Sequence, residues 1–436
     1  MVVSMIKSKN TIKKLALFYP FGDLLNPESG AAIRVNQMLQ ILSNSFEEIR
    51  VMQRWNKHSL KKGNISFESV AVYSDTFFAK VYRKAIDLGS RNLNQKSKMD
   101  NETVYLNRFI EPHLLPEVKR SISELVQWAD AIILEYPFWG RILASECSKY
   151  HKNLIITDHD FLSSHINHSS IIKKAVRYLE VNALKKANHV VAVTDQDSKA
   201  FLKQGIQCNI IVNPTDCIYW GQEFPEDPKA YLKKSGIILP DGPLCFFVGG
   251  AHNPNKTAVK DIRHIASMMK DENNLTFITA GNCSPPEKIA NFISLGKVEK
   301  ETLLALYKSV DIVLVPLRSG SGSSMKTIEA MASGSAILGT SIGFRSLDIV
   351  NYKHAVIEDD IDKYTNIIIN IIKDSKLIEQ LKKESIEFSK RYDYRHVFQS
   401  YLPLLGLPSL SEARLCQLKR KDLEYFQAEL KELIKP

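Results

Sequence analysis

Residues 318–343, RSGSGSSMKTIEAMASGSAILGTSIG, decide the fold of this chain. The apolar run before them, 311–317, is typical of a buried parallel strand, and the five small residues 319–323 predict a side-chain-poor loop. Ser323 or Ser324 is a good N-cap for the helix that follows. A strand, a glycine–serine loop and a helix N-terminus in this order predict an anion site, because backbone N–H groups and the helix dipole face one point.

Two charged residues of the predicted helix extend this site toward a nucleotide. Lys326 lies in the first turn, where a cation opposes the helix dipole by about 0.3–1 kcal/mol when exposed, and a bound anion removes that conflict. Glu329 is three residues further on and shares a helical face with Lys326. We therefore expect a phosphate held by Lys326 and by the loop with Gly320 and Gly322, and the Glu329 carboxylate beside it for hydroxyl groups.

Two common nucleotide motifs do not fit the stretch. A P-loop has glycine immediately before its lysine, whereas this chain has Met325 there. The loop also lacks the third glycine of a dinucleotide fingerprint, and the next strand ends at 342–343 without an acid for a ribose. Neither a P-loop nor an NAD site is expected.

The run 316–334, PLRSGSGSSMKTIEAMASG, resembles the donor-site signature of retaining glycosyltransferases of family 4, which have the two-domain GT-B fold. The resemblance implies that loop and lysine hold the diphosphate of a nucleotide sugar and that the glutamate holds the ribose. The matching positions are Ser323, Ser324, Lys326 and Glu329. Many members have a second glutamate eight residues earlier, where this chain has Ser321, a departure that recurs in one branch of the family.

The same resemblance implies three contacts with the donor phosphates outside this run. The glycine-containing loop after the first predicted strand would place Ser29 and Gly30 at the phosphates, although an ordinary strand–helix connection is the alternative. A basic residue near the loop after the predicted strand 244–248 would contact the diphosphate. Lys256 is the candidate for it, and a solvated lysine is the alternative.

His159 is the candidate site residue of the N-terminal half. It stands in an Asp-His-Asp sequence directly after a predicted strand, where open α/β sheets bind ligands. The resemblance implies that it contacts the donor sugar or the acceptor. Two alternatives stay open: a metal cluster of Asp158, His159, His165 and His168, whose spacing is irregular, or a structural histidine bonded to the backbone.

The alternation of strand and helix predicts an α/β protein with parallel sheets. With 436 residues, two domains fit better than one. We expect the GT-B arrangement of two doubly wound Rossmann-like domains that face each other across a cleft. The N-terminal, acceptor-side domain is expected over 1–214 and the C-terminal, nucleotide-sugar-binding domain over 215–385. Residues 386–436 are expected to be helices that cross back to the N-terminal domain, followed by a helical tail.

The composition is that of a globular protein with a basic surface. The net charge is +10, yet no zinc-finger or RNP-type motif is present, so an anionic membrane or phosphate-bearing substrates explain the charge better than nucleic acid. Residues 76–88 predict a basic amphipathic helix, which either lies in a membrane interface or packs on its own domain. No apolar run reaches 18 residues, the start of the chain does not resemble a signal peptide, and the six cysteines show no pairing pattern. We expect a cytoplasmic protein, peripheral on the inner membrane face.

These patterns and the resemblance together predict glycosyl transfer from a nucleotide sugar to a glycan or lipid-linked acceptor, with retention, in surface polysaccharide or glycoconjugate assembly. No DxD-type acid pair stands near the loop, so neither a metal nor another cofactor is expected. One alternative is a sugar-nucleotide epimerase or hydrolase of the same fold, which would turn over the donor without any acceptor. The other is a non-catalytic protein that binds a sugar nucleotide or acts as a scaffold, for which Ser321 is the argument.

Overall fold

The computed structural model describes residues 12–25, 29–54, 59–69, 101–165, 171–271, 274–320 and 325–434. The predicted amphipathic helix 76–88 and the loop residues 321–324, which include Gly322, Ser323 and Ser324, lie outside the described residues. The chain forms two compact units, one of residues 1–211 with 398–409 and one of 212–397 with 410–436. Each unit contains its own sheet, as the alternating strand–helix pattern predicts.

In the described part of the first unit, the sheet has eight strands in the order β3-β4-β2-β1-β5-β6-β7-β8, and only β3 is antiparallel to its neighbour. The strands are β1 (Lys14–Tyr19), β2 (Glu48–Gln53), β3 (Leu60–Lys62), β4 (Ile65–Ser69), β5 (Ala131–Glu135), β6 (Asn153–Asp158), β7 (His189–Ala192) and β8 (Asn209–Ile210). The helices are α1 (Gly30–Leu42), α2 (Asn101–Leu114), α3 (Pro116–Trp128), α4 (Gly140–Lys149), α5 (Ile171–Leu184) and α6 (Asp195–Leu202), with 3-10 turns at Pro137–Trp139 and Leu162–His165.

The central strands β1, β5 and β6 of this sheet are buried almost throughout. Their apolar runs are typical of parallel strands covered on both faces. The order of the strands reverses between β1 and β5, since the chain first continues to β2 on one side and later to β5 on the other. Open α/β sheets bind ligands outside the carboxyl ends of the strands at such a switch point.

Among the residues described for the second unit, the sheet has seven strands in the order β11-β12-β10-β9-β13-β14-β15, with only β11 antiparallel. The strands are β9 (Leu244–Val248), β10 (Thr276–Ala280), β11 (Glu287–Ile289), β12 (Phe292–Ser294), β13 (Ile312–Val315), β14 (Ala336–Gly339) and β15 (Val356–Ile357). The helices are α7 (Cys217–Gly221), α8 (Pro228–Lys234), α9 (Asn253–Met268), α10 (Lys300–Ser309), α11 (Met325–Ala332), α12 (Tyr364–Lys373), α13 (Ser375–Ser389) and α14 (Tyr394–Val397). A 3-10 turn at Ile361–Lys363 precedes α12, and another at Lys390–Tyr392 follows α13.

The strand–loop–helix–strand unit predicted from 311–343 is present as β13, α11 and β14. Helix α11 buries Ile328 and Met331 on its core side. It ends before Gly334, whose φ of +80° is a left-handed conformation that favours glycine. The switch point of this sheet lies between β9 and β13, so the loops after these two strands flank one position.

The end of the chain divides between the units. A 3-10 turn at Phe398–Ser400 and the short helix α15 (Tyr401–Leu404) belong to the first unit, whereas helix α16 (Glu412–Ile434) belongs to the second. In α16, Leu415 is fully buried and Phe426 packs edge-on against Tyr219 of α7 with ring centroids 5.1 Å apart. The apolar side of the tail helix therefore docks on the second unit.

The buried Arg395 joins the three segments of the second unit that lead to or from the first. Its guanidinium bonds to Asp216, Asp393 and Asp422 at 3.1, 2.9 and 2.6 Å.

All six cysteines are free thiols. Among the described helices, none is long and apolar enough to cross a membrane.

Candidate active site

Lys326 is half-buried in the first turn of α11, at the switch point of the second sheet. Its Nζ donates a hydrogen bond to Oδ1 of Asn255 at 2.5 Å and lies 4.9 Å from the centre of the Phe247 ring. Burial, together with the charge of Arg345, lowers the pKa of Lys326 to about 8. A bound anion would supply the charge that this partly desolvated ammonium lacks.

Glu329 lies one turn after Lys326 and is also half-buried. Burial raises the pKa of Glu329 to about 7, although the charges of Lys300 and Lys326 oppose that rise. Its carboxyl group makes no hydrogen bond or ion pair with another described residue. Since an ionised carboxylate can accept several hydrogen bonds, this group is suited to a ligand with hydroxyl groups.

Glycines bring the loop after β9 close to these side chains. A Cβ atom on Gly249 would lie 2.8 Å from Cβ of Asn255, and one on Gly281 would lie 2.2 Å from the Gly249 carbonyl oxygen. Asn255 in turn donates from Nδ2 to the Gly250 carbonyl oxygen at 3.1 Å. Asn255 can take this position because residues 249 and 281 have no side chains. Its position in turn fixes that of Lys326.

Gly320 is the described glycine of the loop before α11. Its φ is +144°, and a Cβ there would lie 3.2 Å from Nη2 of Arg345. Arg345 donates from Nη1 to the Ile342 carbonyl oxygen at 2.8 Å. A second cation thus lies beside the loop, which adds positive potential where the sequence predicts a phosphate.

The predicted phosphate contact Lys256 is exposed on α9. The residue that approaches Lys326 is its neighbour Asn255, which is 9% exposed. The sequence left the position of this contact ambiguous by one residue. It gave no reason to choose Asn255, because an asparagine does not by itself indicate a phosphate ligand. A role for Lys256 at the diphosphate stays a prediction.

In the first unit, Ser29 and Gly30 lie at the start of α1, after the loop that follows β1. Ser29 is the N-cap of this helix, and its hydroxyl accepts from the Ala32 N–H at 3.2 Å. Both residues are exposed. A helix N-terminus beside the switch point between β1 and β5 is compatible with an anion, as the resemblance implies.

His159 follows β6 directly and is 5% exposed. Its Nε2 lies 2.6 Å from Oε2 of Glu135, the last residue of the neighbouring strand β5. The imidazole also stacks on the Tyr136 ring, with centroids 4.3 Å apart and planes 12° apart. His159 is therefore bonded to a side chain, which differs from the alternative of a structural histidine bonded to the backbone.

Tyr136 has a strained backbone at this point. Its φ is +69°, which for a bulky aromatic residue costs about 1–3 kcal/mol, and such residues cluster at functional sites. Phe21, from the loop after β1, stacks near the same ring with centroids 4.4 Å apart. Arg108 lies 4.5 Å from the centre of the Phe21 ring and donates to the Phe21 carbonyl oxygen. The carboxyl ends of β1, β5 and β6 are thus joined by a column of rings.

The sequence reasoning did not identify Glu135 or Tyr136. Glu135 is fully buried at the end of the apolar run Ala131–Glu135. A charged residue at the carboxyl end of an otherwise apolar strand was the available signal, because buried carboxylates need a partner. The conformation of Tyr136 has no signal in the sequence, since residues at positive φ are usually glycine or asparagine.

A second group of carboxylates surrounds Asp158, the residue before His159. Burial raises the pKa of Asp158 well above its usual value, and Glu180, Asp197 and Asp160 raise it further. Burial also raises the pKa of Glu180 to about 7, while the Leu162 and Ser163 N–H groups donate to it. Within the described ranges, no group of three or more His, Cys, Asp or Glu side chains could hold a metal ion.

The family comparison concerns the second unit. Residues 242–374 match the protein-family model described as Glycosyl transferases group 1. That span begins before β9 and contains Asn255, Gly320, Lys326 and Glu329. The sequence has no match among the curated proteins.

Solved structures share the fold over nearly the whole chain. Sucrose-phosphate synthase from Thermosynechococcus elongatus is 15% identical, with a TM-score of 0.65 over 90% of this chain and 98% of that one. Anabaena HepE in complex with UDP is 13% identical, with a TM-score of 0.62 over 91% and 100% of the two chains. Trehalose 6-phosphate synthase from Burkholderia multivorans is 11% identical, with a TM-score of 0.61 over 91% and 98%. This chain therefore has the GT-B fold, and its residues 242–374 match the glycosyl transferases group 1.

Proposed function

We propose that the enzyme transfers a sugar from a nucleotide-sugar donor to a glycan or lipid-linked acceptor, with retention of configuration and without a metal. The observation that carries this proposal is the pair Lys326 and Glu329 on one face of α11, at the switch point between β9 and β13. Lys326 would bind the diphosphate, and Glu329 would accept hydrogen bonds from the ribose hydroxyl groups. The two charges are one turn apart and are therefore neighbours on the helix surface.

The chemistry follows from where charge develops. As the bond between sugar and phosphate breaks, negative charge grows on the departing diphosphate. Lys326, the N-terminus of α11 and the nearby Arg345 stabilise that charge in a partly desolvated site, where such interactions are stronger than in water. These positive groups would take the place of a metal at the phosphates. We therefore propose that transfer needs no metal, as the lack of a DxD pair also predicts.

The nature of the donor has support from similar structures. HepE was solved with UDP and also with UDP-glucose, and those proteins share the fold of this chain. We place the reaction in surface polysaccharide or glycoconjugate assembly at the inner membrane face. The predicted amphipathic helix 76–88 and the net charge of +10 are the support for that location.

A binding screen followed by product analysis tests this function. UDP, GDP, ADP and CDP sugars are each added to the full chain, and a donor raises the unfolding temperature because it binds only the folded state. Lys326→Met should reduce the shift, whereas Lys260→Met, which alters an exposed lysine of α9, should leave it unchanged. The anomeric configuration of the product, read by NMR, should equal that of the donor. Donor turnover that needs no acceptor would instead support an epimerase or a hydrolase.

A further inference from the structure

We propose that Glu135 is a positioning residue that holds His159 in one tautomer and presents its Nδ1 to a hydroxyl group of the substrate. The inference rests on the proposed function, because it assigns His159 to a sugar that takes part in transfer. It adds a residue from another strand to the site. Three structural observations carry it.

The first observation is the bond between the two side chains. Glu135 is fully buried and His159 is 5% exposed, and the atoms Oε2 and Nε2 are 2.6 Å apart. An ionised carboxylate only accepts hydrogen bonds, so Nε2 must donate. A hydrogen bond to a charged group in a buried place is about twice as strong as one between neutral groups. Nε2 is therefore committed to Glu135.

The second observation concerns the other nitrogen. Nδ1 of His159 makes no hydrogen bond with any residue in the described part of the chain. When the ring is neutral and carries its hydrogen on Nε2, Nδ1 is an acceptor. His159 lies at the carboxyl end of β6, next to the switch point of the sheet, where open α/β sheets bind ligands. Nδ1 is thus the atom left to accept from a sugar hydroxyl.

The third observation is how the ring and the carboxylate are held. Tyr136 stacks on the imidazole at 4.3 Å and fixes the plane of the ring, while Glu135 fixes its rotation within that plane. These two residues are neighbours in sequence, and the positive φ of Tyr136 is what brings both side chains to one histidine. Backbone strain of this kind persists only where the surrounding structure supports it.

The charge of Glu135 is maintained by its surroundings. Burial works to raise the pKa of Glu135, but the hydrogen bond from His159 and the charge of Arg34 hold it below its usual value. Arg34 itself donates to the Ile211 carbonyl oxygen and to the Tyr401 hydroxyl. Tyr401 is joined to the Thr157 hydroxyl at 2.7 Å, on the strand that leads to His159. The carboxylate therefore stays ionised as an acceptor at neutral pH.

The direct test is the tautomer of His159, measured by nitrogen-15 NMR of the neutral imidazole in the full chain. In the wild type we expect the hydrogen on Nε2 only. In Glu135→Met, which keeps the length and removes the acceptor, we expect a mixture of tautomers. A wild-type ring with its hydrogen on Nδ1, or the same single tautomer in both proteins, overturns the proposal. This readout needs no substrate.

Kinetics with the nucleotide sugar selected by the binding screen supply the second test. Glu135→Met should lower kcat about 10- to 100-fold, the cost that loss of a comparable carboxylate partner has for metal-bound histidines, with donor affinity unchanged. Glu135→Gln keeps an acceptor oxygen and should recover part of that loss. In a His159→Ala background, Glu135→Met should cause no further loss, because Glu135 acts only through His159.

A purely structural role gives a different pattern. Glu135→Met would then lower kcat in the His159→Ala background as well, and Glu135→Gln would show no recovery. The control is Glu111→Gln, which alters another fully buried carboxylate of the first unit, bonded to Arg54 at 2.8 Å. It should leave kcat unchanged. If no nucleotide sugar is turned over by the wild type, the proposed function fails, while the tautomer still decides the role of Glu135.

Discussion

Lys326 of α11 and Asn255 of α9 are joined by a hydrogen bond of 2.5 Å from Nζ to Oδ1. The bond connects the helices that follow the two central strands of the second sheet, β13 and β9. It holds the ammonium group in place before an anion binds, so less side-chain freedom is lost on binding. Asn255 can play this part only because glycines at 249 and 281 leave it room.

The two charged residues of α11 should affect the reaction differently. Lys326 stabilises the negative charge that grows on the diphosphate in the transition state, so Lys326→Ala should lower kcat strongly. Glu329 should bind ribose hydroxyl groups that do not change during the reaction, so Glu329→Ala should mainly raise the KM for the donor. Steady-state kinetics at saturating acceptor measure both constants. Near-wild-type values of both constants in Lys326→Ala would mean that the anion site is elsewhere.

Donor affinity should depend on pH in a bell shape. Glu329, whose pKa is about 7, must lose its proton to accept from hydroxyl groups, so affinity should rise with pH through about 7. Lys326, whose pKa is about 8, loses its charge above that value, so affinity should fall again. Calorimetry of nucleotide binding from pH 6 to pH 9 measures the curve. Glu329→Gln should remove the acid limb and keep the alkaline one; an unchanged acid limb would exclude Glu329.

His159 should serve transfer more than donor binding. His159→Ala should leave nucleotide affinity within a few-fold of the wild type and slow turnover about 10²-fold or more if it contacts a group on which charge develops. Binding calorimetry and turnover are measured on the same preparation. Full activity in this variant would return His159 to a structural role with Glu135.

Arg395 should be a large contributor to the stability of the second unit. Its guanidinium is fully buried among Asp216, Asp393 and Asp422, and removing one partner of a buried charge network costs about 3–5 kcal/mol. Arg395→Leu should lower the free energy of unfolding in urea by that amount. Arg420→Leu on the same tail helix is the control, because its ion pair with Glu424 is exposed and should contribute under about 1 kcal/mol.

The stretch 76–88 should bring the enzyme to anionic membranes. It lies outside the described residues, and the prediction depends on its aromatic and apolar stripe bordered by Lys80, Arg83, Lys84 and Arg91. Each cation near an anionic surface contributes about 1 kcal/mol. Sedimentation with phosphatidylserine liposomes should show binding that falls with salt. Equal binding after replacement of Lys80, Arg83 and Lys84 by glutamine would contradict the prediction.

The sequence alone determined the α/β class and the position of Lys326 and Glu329. Both depend on short-range patterns: apolar runs of strand length, small residues that allow only a loop, and two charges one helical turn apart. These patterns are local, and the structure confirms the parallel sheets and the strand–loop–helix–strand unit that they predict. The expected contact of loop residues 321–324 with a phosphate stays a prediction from the sequence.

Only the tertiary structure decided which residues surround these positions. Asn255 is 71 residues from Lys326, and Glu135 is 24 residues from His159, so no local pattern connects either pair. They meet because parallel strands from distant parts of the chain end at the same edge of a sheet, and because the glycines around Asn255 and the strained turn at Tyr136 direct side chains to one point. Buried polar groups need hydrogen-bond partners, and the tertiary fold determines which partner each group has.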